Sequence, residues 1–111
     1  MSYSTTTFAI FGTFAPRRSK AADLFEKYVE RSSPTLIAPG VSVDIIGNAV
    51  MGREWIALYT HDRGDLAKNA SPVPLTIPED GKRRTREALA AHGVTLDEVA
   101  PIGWYLVSRT I

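Results

Sequence analysis

One of the chain's two histidines, His61, is followed directly by Asp62 and, four residues on, by Asp65. An imidazole beside carboxylates can pass a proton near neutral pH, and Tyr59, two residues earlier, adds a phenol able to donate a hydrogen bond or act as an acid. His61 and Tyr59 are therefore the catalytic candidates if the chain is an enzyme. The polar mouth of a loop accounts for the same residues without catalysis. A transition-metal site would have to draw on those carboxylates, because two histidines and no cysteine supply too few nitrogen and sulfur ligands. No metal or cofactor is expected. Gly47, Gly52, Gly64, Gly81 and Gly93 are scattered, with no glycine-rich turn between strand and helix to cradle a phosphate.

Basic side chains form two groups. Arg17, Arg18 and Lys20 precede or open one helical pattern, and Lys82, Arg83, Arg84 and Arg86 crowd the start of another. Positive charge at a helix start opposes the helix dipole by about 0.3–1 kcal/mol per charge at most, which a solvated face tolerates. Side by side, the groups would make a basic patch for an acidic protein surface or a nucleic acid. The whole chain has no such bias: 13 Lys and Arg offset 12 Asp and Glu, for a net charge of +1.

The elements that must position these residues follow from periodicity. Thr5 to Phe14 reads as a strand from its aromatic and β-branched content. From Pro16 onward, Ala21, Leu24, Phe25, Tyr28 and Val29 recur at helical spacing, and Ser32 to Pro34 mark the exit. Ala38, Pro39 and Gly40 read as a connector. Val41 to Val50 and Glu54 to Thr60 read as two strands, with Gly52 and Arg53 suited to a tight hairpin turn. His61 to Ile77 lacks periodicity and reads as a long loop of the kind used as a lid. Thr76 and Glu79 have capping-box spacing before a helix over Glu79 to His92, and Thr95 with Glu98 repeats that spacing. Ile102 to Ile111 closes the chain as an aromatic-rich strand.

At 111 residues the chain is expected to form a single α+β domain. The series strand, helix, strand, strand, helix, strand packs most readily as a ferredoxin-like βαββαβ two-layer sandwich, a four-stranded antiparallel sheet with two helices on one face. If Phe8, Ile10, Ile56 and Leu58 face the helices, alternation turns Phe11, Trp55, Ala57, Tyr59 and His61 to the open face. Tyr105 and Arg109, or else Trp104, join them from the last strand. Each aromatic side chain can bury roughly 150–250 Å², whereas the largest apolar patch on a typical monomer is about 300–600 Å². An open face bearing three or four of them therefore calls for something to cover it.

The expected function is accordingly a noncatalytic interaction or regulatory module. Phe11, Trp55, Tyr59, His61, Tyr105 and Arg109 would contact a protein partner or a second copy in a homodimer, and Arg17, Arg18, Arg83 and Arg84 would add a second, basic face. The alternative is a small enzyme or ligand-binding protein of the dimeric α+β barrel type, with a cavity between sheets lined by Tyr59, His61 and Trp55. RNA binding through base stacking is a third option, although Glu54 to His61 lacks the basic, glycine-rich pattern of such strands. The polar opening and the lack of any membrane-length apolar run make the cytoplasm the expected location, away from membranes.

Overall fold

The computed structural model describes residues 5–29, 35–48, 52–65 and 75–110. They form β1 (Thr5–Pro16), α1 (Lys20–Glu26), β2 (Thr35–Ala38), β3 (Val41–Asn48), β4 (Arg53–Asp65), α2 (Glu79–Ala91) and β5 (Gly103–Thr110). The sheet runs β2-β3-β4-β1-β5, with antiparallel pairing between those neighbours. A ferredoxin-like four-stranded sandwich does not fit. Two features overturn it: a fifth strand, β2, lies outside β3, and the sheet curls until β3 meets β5 in parallel, Gly47 beside Arg109 and Asn48 beside Thr110.

β2 occupies the stretch expected to be a connector. Its four residues lie between Pro34 and Pro39, too few for alternation to show in sequence, and what makes them a strand is pairing with Val41 to Val43 across the turn at Gly40. β3 and β4 form the expected antiparallel pair, with Ile45 opposite Ile56 and Val43 opposite Leu58. Gly52 has the positive φ anticipated for it, +67°. The expected loop from His61 begins late, because β4 continues to Asp65; residues 66–74 of that loop lie outside the described residues.

Both helices differ from expectation at their starts. Pro16 ends β1, and α1 starts after Ser19, whose Oγ accepts the Ala22 N–H at 3.2 Å. Leu24, expected on the apolar stripe, is exposed; the buried residues of α1 are Ala21, Ala22 and Phe25. At α2 the expected box between Thr76 and Glu79 does not form, since Pro78 is the N-cap, and the first turn relies on Glu79 and Asp80 to complement the dipole. The box between Thr95 and Glu98 is present.

Two cores result. Val41, Val43, Ile56 and Leu58 on one side of the sheet meet Ala21, Ala22 and Phe25 of α1 and Ala88 and Leu89 of α2. On the other side Phe8, Ile10, Ile46, Ala57, Tyr59 and Val107 pack together, bordered by Phe14, Trp55 and Tyr105. No described helix covers this second cluster; the curl of the sheet does. Burying a large apolar side chain stabilises by roughly 1.5–3 kcal/mol, so its five large members contribute about as much as the whole net stability of a small domain, roughly 5–15 kcal/mol.

Two glycines allow the curl. At Gly12, where β1 meets β4, a Cβ would lie 1.9 Å from the carbonyl oxygen of Leu58 and 2.7 Å from the Cα of Tyr59. At Gly47 the backbone takes φ +105°, and the six-membered ring of Trp55 packs where a side chain would stand. Gly12→Ala is expected to lower stability by at least about 3 kcal/mol, because backbone must move to admit the methyl group. Gly52→Ala, with open space around it, should lose only about 1–2 kcal/mol from its left-handed φ. Urea denaturation of the two variants tests this ordering; equal losses would rule out the close approach at Gly12.

Candidate binding cleft

Alternation holds along β4 as far as Tyr59 and then breaks. Gly12 stands opposite Tyr59, but its neighbour Phe11 stands opposite His61, which leaves Thr60 as an extra residue on β4. Such a bulge turns the following side chain to the other face. Thr60 and His61 therefore both lie against Gly81 of α2, where an added Cβ would be 2.5 Å from Thr60 Oγ1 and 3.2 Å from the imidazole. Thr60 Oγ1 and His61 Nδ1 are 2.8 Å apart. The imidazole meets Phe11 edge-on at 6.3 Å and Trp104 at 6.4 Å between ring centres. Trp104 donates its Nε1 hydrogen to the Thr76 carbonyl at 2.9 Å, and the Arg63 guanidinium lies 5.7 Å from the Trp104 ring centre.

The face assignment on β1 is thus the reverse of the expected one. Phe8 and Ile10 belong to the second core, away from the helices, while Phe11 is buried on the His61 side. Ile56 and Leu58 do pack toward the helices, and Ala57 and Tyr59 away from them. Neither Phe11 nor Tyr59 is open to solvent: they are 1% and 5% exposed. Tyr59 and His61, the acid–base pair of the enzyme alternative, serve opposite sides of the sheet.

Trp55 and Tyr105 do come together. With Phe14, Ile46 and Val107 they wall a cleft of about 230 Å³ beside the β3–β5 seam, where Gly47, Leu106 and Ser108 complete the lining. The Phe14 and Tyr105 rings meet edge-on with centres 4.8 Å apart, and the Tyr105 hydroxyl donates to the Pro101 carbonyl, which fixes that ring. Leu106 is 70% exposed at the cleft. Arg109 brings its backbone to the seam opposite Gly47; its side chain lies outside the described residues. Phe14, Ile46, Leu106 and Val107 were not singled out as site residues from sequence. The available signal was Gly47, a glycine inside a strand pattern, which marks a close backbone approach.

The basic residues are largely neutralised by neighbours. Arg17 donates from Nε to Glu26 at 3.1 Å and from Nη1 to Glu54 at 2.7 Å, and these bonds, the one to Glu54 foremost, raise its pKa further. Arg18 and Arg53 join Arg17 along a hollow that also presents Asp23, Glu26 and Glu54, so its charges balance. On α2, Arg83 bonds Asp80 and Glu87, and Arg84 bonds Asp80 and the Pro39 carbonyl. Hydrogen bonding to Arg83 holds the Asp80 carboxyl below its ordinary range. Exposed pairs of this kind add little stability, but they cancel much of the field that a basic patch would need.

Among the described residues no group of three or more His, Asp or Glu is placed to hold a metal ion. No helix among them is long and apolar enough to cross a membrane. No family model, curated protein or solved structure matches the chain.

Burial, with a smaller contribution from the Asp62 charge, pushes the Tyr59 phenol up to about 12. In the unfolded chain a tyrosine titrates near 10. Between those values the folded state keeps a proton that the unfolded state has lost, so the stabilisation is complete below about pH 10 and disappears as pH rises toward 12. Denaturation midpoints measured from pH 8 to pH 11 are expected to fall more steeply for the native chain than for Tyr59→Phe. Parallel profiles would show that Tyr59 ionises as readily folded as unfolded.

Proposed function

We propose that this chain is a noncatalytic contact module that binds a protein partner, or a second copy of itself, through the aromatic cleft at the β3–β5 seam. The observation that carries the proposal is the convergence of Phe14, Trp55 and Tyr105 on one apolar cleft with a largely exposed leucine, Leu106, beside it. Tryptophan and tyrosine are the side chains most often found to dominate protein interfaces, where each fills or frames a pocket for a partner residue. The size of the cleft argues in the same direction. About 230 Å³ falls below the roughly 300–1,000 Å³ of ordinary small-molecule sites, and suits a side chain better than a substrate.

The enzyme alternative draws less support. A cavity between stacked sheets needs an open sheet face on each subunit, and here that face is rolled up around its own side chains. Stacking bases on exposed aromatics meets the same obstacle, since Phe11 and Tyr59 are interior.

Leu106→Asp tests the proposal, because a residue this exposed can be changed without disturbing either core. Pull-down from native lysate and light scattering of the purified chain read partner capture and self-association. The native chain is expected to show one of them, and Leu106→Asp to weaken it by roughly tenfold, the size of a modest interface hot spot. His61→Ala should leave it unchanged. Loss with His61→Ala and retention with Leu106→Asp would move the contact to the other side of the sheet.

A further inference from the structure

The second core is closed by very little. β5 is held to β1 by eight residue pairs, from Thr5 beside Thr110 to Gly12 beside Gly103. It is held to β3 by two, Gly47 with Arg109 and Asn48 with Thr110. These two lie at the far end of the last strand, where backbone pairing is least reinforced by neighbours. They also join in parallel, the less stable of the two ladder geometries. Gly47 contributes the backbone of greatest conformational freedom to that contact, at φ +105°. Immediately beside the seam lies the cleft, sharing Gly47 with it, and Ile46 and Val107 belong to both the cleft and the second core.

From this arrangement we infer that the β3–β5 seam is a latch: it opens locally while β5 stays paired to β1, and opening extends the cleft into the second core between Ile46 and Val107. Parting the seam breaks two residue pairs and leaves the eight between β1 and β5 intact. The core next to the helices contains Ile56, Leu58, Val41 and Val43 and has no part in the movement. What the opened cleft receives is an apolar side chain of the partner; that part rests on the function proposed above, whereas the opening itself does not.

Hydrogen exchange tests the latch without any partner. In the native chain the amides of Ile46 and Val107 are expected to exchange at least roughly tenfold faster than those of Ile56 and Leu58, as a local opening requires. A clamp can then be placed across the seam, since the chain has no cysteine of its own to interfere. Asn48→Cys with Thr110→Cys joins two paired residues, and neighbouring strands stand about 4.8 Å apart, within the roughly 4.4–6.8 Å that a disulfide spans. Oxidation of this variant should slow exchange at Ile46 and Val107 to the level of Ile56 and Leu58, and a reducing agent should restore it. Equal exchange at all four amides in the native chain would overturn the latch, even if the cysteine variant failed to fold. So would fast exchange that persists at Ile46 and Val107 with the disulfide formed. A slowed exchange together with undiminished partner capture by Leu106→Asp would keep the latch and refute the contact site.

Discussion

The closure of the curled sheet on itself is the constraint from which the other features of this molecule follow. β3 and β5 stand at different places in a five-stranded sheet, with β4 and β1 between them, and meet only because the intervening strands bend. Gly12 permits that bend by letting β1 and β4 approach more closely than any side chain would allow, and Gly47 permits the seam by adopting a backbone angle that other residues avoid. With the seam formed, Phe8, Ile10, Ile46, Tyr59 and Val107 share an interior. A flat sheet of the same sequence would leave them in water.

Curling also sorts the aromatic residues by fate. Tyr59 lies deep in the second core, and its phenol is harder to ionise for that reason. Trp55, Phe14 and Tyr105 stand at the margin, where the rolled sheet ends and its lining is only half covered, and there they frame a cleft. Phe11 and Trp104 are on the other side altogether, packed edge-on with ring centres 5.5 Å apart. A single extra residue, Thr60, is responsible for placing His61 with them rather than with Tyr59. One inserted residue in a strand thus separates two side chains that simple alternation would have put on one face.

The local elements were legible because their signals are local. Hydrophobic periodicity marked both helices, the β3–β4 pair and the first and last strands, and Thr95 with Glu98 announced a capping box that forms. β2 was missed because four residues between two prolines carry no period. The assignment of faces failed for a different reason. It assumed that the strands alternate without interruption and that side chains on β1 and β4 could be aligned by eye, whereas the register shifts at Phe11 and again between Phe8 and Ile10. Trp55 and Tyr105 were recognised as candidate contact residues and do share a cleft; Arg17, Arg83 and Arg84 were recognised as basic but not as already paired, since Glu54 is remote from Arg17 in sequence.

The amino-acid sequence alone determined that the sheet would be apolar on both sides, because alternation of side chains along a strand turns neighbouring aromatic and aliphatic residues to opposite faces whatever the topology. It also determined a chain without cysteine and near electrical balance. How the second apolar side is hidden was decided only in three dimensions. Closure requires the end of β3 to find the end of β5 across a gap of some sixty residues of sequence, and the energy that drives it is burial shared among side chains from four strands. No window of sequence contains that sum.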